Sequence, residues 1–208
     1  MENLNLILYI SMAVPLAMML AICKHRSRMI LLFLLLGASV CLFSSEFSGV
    51  LCKVLPFSFQ FFTINITPFT EEVLKAVPVL MYAFLYKPTD EYVLECSIAD
   101  GVGFALLENA FILSQNVASI SIPLALIRGF GAGMMHGLCT FAVGYGMTFI
   151  HKRRKLFYCG TSALLGLAVM FHSLYNILVQ SEHMVIGYVL PIVAFVPLLA
   201  VLKKKNRI

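Results

Sequence analysis

Charge is what this chain lacks most. Asp, Glu, Lys and Arg make up 12% of its 208 residues, about half the share of a soluble domain. Hydrophobic residues supply 61% and the mean hydropathy is +0.94, which excludes a soluble enzyme and places the chain among polytopic membrane proteins. No long linker, low-complexity tail or soluble segment occurs, so residues 1–208 are expected to form one membrane-embedded domain. The N-terminus lacks a basic n-region and a small-residue cleavage site. Its apolar run stops at Lys24-His25-Arg26 and is expected to be a retained span. The cysteines Cys23, Cys41, Cys52, Cys96, Cys139 and Cys159 include no C-x-x-C pair and read as small hydrophobes. Neither soluble zincin pattern, H-E-x-x-H or H-x-x-E-H, is present.

Apolar runs do occur, at about 4–22, 29–45, 68–86, 96–116, 123–150, 157–179 and 184–202. Each is near the length that spans a ~30 Å hydrocarbon core, so the expected fold is an all-α bundle of seven transmembrane helices. Residues 46–67 are apolar and Phe-rich but are interrupted by Lys53, Pro56, Gln60 and Asn65, and they read as an interfacial or re-entrant loop. Basic clusters follow the first span (Lys24, Arg26, Arg28), the fifth (Lys152, Arg153, Arg154, Lys155) and the seventh (Lys203, Lys204, Lys205, Arg207). With seven spans all three share one side, so the N-terminus is expected outside and the C-terminus inside. An eighth span through 46–67 would separate the first cluster from the others. The net charge of +5 then implies contact with anionic lipid headgroups and no nucleic-acid partner.

Against this apolar background the third span carries Glu71, Glu72 and Lys75. Each ionised side chain near mid-bilayer costs roughly 2.5–3.5 kcal/mol on insertion scales, so the three together impose on the order of 8–10 kcal/mol unless they pair or face water. Other spans contain Glu108 with Asn109, His136, and His172 with Asn176. Helix rise puts all of these at compatible depths, in the outer leaflet or at the midplane. Glu71 and Lys75, Phe104 and Glu108, and His172 and Asn176 are i,i+4 pairs that each share one helix face. Thr67-Pro68 reads as an N-cap followed by a proline at the first helical position, placing the glutamates in the favourable field of a helix N-terminus. Gly129, Gly133 and Gly137 form a ladder that would admit a neighbouring backbone beside His136. Lys75 is placed to neutralise one glutamate, Asn109 to make an interhelical hydrogen bond, and Glu95, Asp100 and Arg128 to snorkel to the interfaces.

Two imidazoles and a carboxylate are a ligand set for catalytic Zn²⁺ or another divalent metal. His136, His172 and Glu108 are the candidate ligands, with Glu71 or Glu72 as general base and Asn176 as oxyanion donor. A glutamate–histidine pair could also activate water without metal. Intramembrane carboxylates and histidines build ion relays too, which keeps a transporter or channel as an alternative. A non-catalytic membrane scaffold is a third reading.

At E-E-V-L-K (71–75), F-A-L-L-E-N (104–109), the lone His136 in a glycine-rich helix and H-S-L-Y-N (172–176), the chain resembles the PrsW intramembrane proteases, relatives of the CAAX prenyl endopeptidases and CPBP/Abi proteins. The strings fall in order on successive spans and cover residues 68–179, the expected catalytic core. The resemblance implies a bacterial cell-membrane endopeptidase acting on a single-pass membrane protein, with anti-sigma factors among the substrates of the family. CAAX-type relatives carry E-E-x-x-x-R and a histidine where this chain has Glu108. Their choice of the first glutamate as base therefore does not transfer, and no prenyl-CAAX substrate is implied.

Overall fold

The computed structural model describes residues 4–115 and 121–204, with side chains described up to residue 196 except at residue 5. All regular structure among them is helical: α1 (Leu4–Leu20), α2 (His25–Val54), α3 (Phe59–Phe61), a π-helical turn (Phe62–Ile66), α4 (Thr67–Tyr86), α5 (Asp90–Gln115), α6 (Ile122–Met147), α7 (Arg154–Val179) and α8 (Met184–Lys204). α2, α5, α6 and α7 are long and apolar enough to cross a membrane. α4 has the length, but Glu71, Glu72 and Lys75 lower its hydropathy. The distribution of polarity is inverted relative to a water-soluble fold. Ile7, Met18 and Phe84 are exposed, whereas Lys75, Asp100 and His136 are 0% exposed, the pattern expected where the surface meets lipid and polar groups turn inward.

The reading of 46–67 as a loop is corrected. α2 continues through Val54 and ends two residues before Pro56, with Leu55 between them extended at φ −90°, ψ 133°, the conformation a following proline imposes. The 30 residues of α2 extend roughly 45 Å, so its end overhangs the hydrocarbon core and Lys53 there need not be buried. Ser58 then caps the single turn of α3, its Oγ accepting from the Phe61 N–H at 3.2 Å, and the π turn leads without a break into α4. Thr67 is therefore inside a continuous helical path and is not an N-cap. Its N–H donates to the Phe62 carbonyl, so the expected free helix N-terminus beside the glutamates does not exist.

α5 is the central element, packed along α2 and α6. Small residues allow these approaches: a Cβ on Gly37 would overlap the Asp100 carbonyl, and one on Gly101 would overlap the backbone of His136. The expected ladder is not used in this way. Gly129 and Gly133 face open space, and Gly137 meets only the side chains of Val102 and Ile98. The hydrophobic core between α4, α5, α6 and α7 contains Val79, Cys96, Met135, Cys139 and Val143. All six cysteines are free.

Ion pairs bring two basic clusters to one end of the bundle. Arg26 pairs with Glu95, and Lys152 pairs with Asp90, so the start of α2 and the α6–α7 turn both lie beside the start of α5. Lys203 and Lys204 have no described side chains, and Lys205 and Arg207 lie outside the described residues.

Candidate active site

Glu71 and Glu72 leave the second turn of α4, with Lys75 one turn further along. Lys75 Nζ donates to Glu72 Oε1 at 2.6 Å and to His136 Nδ1 at 2.9 Å, and lies 5.0 Å from the centroid of the Phe104 ring. Three helices thus hold one ammonium group: α4 supplies the carboxylate, α6 the imidazole and α5 the aromatic face. α7 joins through His172, whose Nδ1 is 2.7 Å from the same Glu72 oxygen. An ionised carboxylate only accepts, so His172 carries its proton on Nδ1, and its Nε2 lone pair faces Glu71 Oε2 at 3.7 Å.

His136 is fixed in the opposite sense. An ammonium has no lone pair, so Nδ1 accepts from Lys75 and Nε2 carries the proton toward Glu108 Oε2, 3.2 Å away. The two rings are edge to face, 4.9 Å between centroids at 86°. Phe104 lies 4.9 Å from His136, as its i,i+4 relation to Glu108 requires.

The site fits a divalent metal. Ligand atoms of Glu71, His136 and His172 lie within 4.8 Å of one another, and Glu71 Oε2 is buried with no hydrogen-bond partner among the described residues. Glu72 supports the outer nitrogen of His172, the arrangement by which metal-ligating histidines are oriented. Glu71, Glu72, Asp100 and Glu108 outnumber the cations Lys75 and Arg128, an excess of negative charge that protons or a dication would offset. Glu71 occupies the place in this cluster that the sequence assigned to Glu108. Glu108 stands to one side, with Arg128 Nη2 4.0 Å from its Oε2. For Nε2 of His136 to become a ligand the ring must hold its proton on Nδ1 instead, which requires Lys75 to pass Nδ1 a proton or to move off it.

Several expectations are revised. Asp100 does not snorkel: it is fully buried, and neither carboxylate oxygen has a hydrogen-bond partner among the described residues. α5 begins at Asp90, and these earlier turns carry Asp100 into the bundle; its i+8 relation to Glu108 on one face was the available signal. Arg128 also turns inward, donating to the Tyr188 hydroxyl at 3.3 Å. Glu95 stays at the surface with Arg26, as expected. Asn109 makes no interhelical hydrogen bond through Oδ1, which is buried without a partner among the described residues. Asn176 donates through Nδ2 to the Thr63 carbonyl at 3.1 Å. In the i→i+5 register of the π turn that carbonyl would accept from residue 68, and Pro68 has no N–H. Asn176 thus supplies the donor that the proline removes, tying α7 to the turn that leads into α4.

A cleft of about 310 Å³ opens between α2, the π turn with the start of α4, and α5, and reaches both Glu71 and Glu108. Glu72 does not line it.

Histidines and carboxylates from α4, α5, α6 and α7 thus converge inside an apolar helical bundle, with Glu71 and Glu108 reached by a cleft. The sequence model of the PrsW family intramembrane metalloprotease matches residues 25–202, and the chain belongs to that family. It is an integral membrane protein and an intramembrane protease. No curated protein and no solved structure matches it.

Proposed function

We propose that the protein cleaves a peptide bond in a single-pass membrane protein near the outer face of a bacterial cell membrane, an anti-sigma factor being the substrate class that its family resemblance implies. The observation that carries this reading is Glu71 Oε2, a buried oxygen with no hydrogen-bond partner among the described residues, on a side chain that lines the cleft and clusters with two imidazoles. The topology has seven spans, with the N-terminus outside, the basic end inside, and residues 68–179 as the catalytic core. Cysteine labelling from each side should find the termini on opposite faces, and termini on one face would overturn it.

Glu71, His136 and His172 would hold a zinc-type ion, which supplies Lewis acidity toward a carbonyl and toward water. Glu72 keeps the His172 proton on Nδ1 and anchors Lys75. Lys75 fixes the ring of His136 and balances charge among the carboxylates. Glu108, on the cleft and outside the ligand cluster, takes a proton from the attacking water and returns it to the leaving amine. Arg128 restrains Glu108 from the far side. Asn176 acts through the π turn it holds. A helical substrate hides its amides behind internal hydrogen bonds, so scission requires an unwound stretch, easiest to form at a helix end.

The test is reconstitution with a single-pass protein and mass spectrometry of the products, which should share one cut near the outer end of the span. Ion or solute movement in liposomes, with the same residue dependence and no products, would favour the transporter alternative.

A further inference from the structure

The wall that α2 contributes to the cleft has no role in the chemistry above. Cys41, Ser45 and Ser48 line it at i, i+4 and i+7, which places small side chains on one helix face. Helical serines ordinarily return their hydroxyl to a carbonyl one turn back. Ser39 does so on Leu35 at 2.8 Å and Ser97 on Val93 at 2.6 Å. Ser48 does not: its Oγ is buried, lines the cleft and has no hydrogen-bond partner among the described residues. Leu42 from α2 and Leu107, Phe111 and Ile112 from α5 form an apolar part of the lining. At about 310 Å³ the space is at the small end of the range for ligand sites, which suits a short stretch of chain.

We propose that this cleft receives an unwound segment of the substrate, with Ser48 hydrogen-bonding to its backbone and the apolar wall taking one large side chain beside the scissile bond. The inference rests on the protease reading and specifies the substrate feature that is recognised. An unwound segment within the bilayer loses the internal partners of its amides and carbonyls, and a buried, unspent hydroxyl replaces one of them. A helical segment has no such group to offer. Acidic side chains are excluded at this position because their carboxylate would face Glu108.

The full-length protein in proteoliposomes is given a library of single-pass reporters with a randomised outward juxtamembrane segment, and the products are sequenced by mass spectrometry. The wild type should select a large apolar residue at one position beside the cut and reject Asp and Glu there. Leu42→Trp should move the preference to Ala and Gly, and Phe111→Ala should move it to bulkier residues. On the best reporter, Ser48→Ala should raise KM about tenfold with kcat unchanged, the signature of a lost binding hydrogen bond, and Ser48→Thr should restore it. A preference that stays at the wild-type profile in both cleft variants, or a Ser48→Ala KM that does not move, overturns the subsite and leaves the protease reading standing. A wild type that cuts no reporter overturns the protease reading itself.

Discussion

Removing the charge of Lys75 should unfold more of the site than removing the charge of its partner as well. Lys75 and Glu72 both have side chains that are 0% exposed and meet at 2.6 Å, and the ammonium is also within electrostatic reach of Glu71 and Asp100. Lys75→Met fits a similar unbranched volume but leaves Glu72 as a buried anion held only by His172. Breaking a buried pair from one side costs about 3–5 kcal/mol. At ~2–4 °C per kcal/mol for a chain of this size, that is a fall in Tm on the order of 10 °C. Lys75→Met combined with Glu72→Gln removes both charges while an amide oxygen remains to accept from His172 Nδ1. The double variant should regain about 2 kcal/mol or more of the loss. The assay is a double-mutant cycle on detergent-solubilised protein, followed by thermal unfolding. A Lys75→Met protein as stable as wild type, or a double variant no better than the single one, would refute the buried-pair account.

Elemental analysis of the purified protein should find about one divalent ion per chain, lost in His136→Ala and in His172→Ala; retention of metal in both would remove those side chains from the ligand set, and chelator-insensitive cleavage by metal-free protein would move the mechanism to a glutamate–histidine pair. Alanine at Gly129 or Gly133 should leave folding within about 1 kcal/mol of wild type, the helix-propensity scale, because nothing lies near either position. Gly101→Ala should instead force α5 away from His136, lowering stability and cleavage together. Equal tolerance at all three glycines, read by thermal unfolding, would contradict the α5–α6 packing described above.

The site is legible in the sequence because burying charge in an apolar helix is too costly to persist without a use for it. Composition alone marks Glu71, Glu72, Lys75, Glu108, His136 and His172, and they do converge. Which carboxylate joins the two imidazoles is not legible, since that depends on how α4 and α5 are rotated about their axes, and i,i+4 spacing says nothing about rotation relative to a neighbouring helix. Hydropathy misplaces Asp100 because it starts the span near residue 96, whereas α5 begins at Asp90 and the extra turns carry the aspartate from the interface to the core. The end of α2 is hidden for a related reason: Lys53 and Pro56 both interrupt the apolar run, yet only the proline breaks a helix. The π turn leaves no pattern in the residues before Pro68. Its consequence appears in three dimensions, where Asn176 meets the carbonyl that the proline leaves free. The glycine ladder is visible in the sequence, but Gly129 and Gly133 sit on the open face of α6, while Gly37, Gly101 and Gly103, outside any such ladder, make close approaches.

The central claim is that Glu71 belongs to the reacting centre and Glu72 supports it from behind. The most direct measurement is the rate of product formation by Glu71→Gln and Glu72→Gln, each reconstituted with a single-pass substrate at matched protein level and fold. Glu71→Gln removes a carboxylate from the ligand cluster and should leave no detectable product. Glu72→Gln keeps an oxygen for His172 and should retain activity reduced by about 10–100-fold, as loss of an outer partner of a ligand does. The opposite order, with Glu71→Gln active and Glu72→Gln dead, would contradict the account.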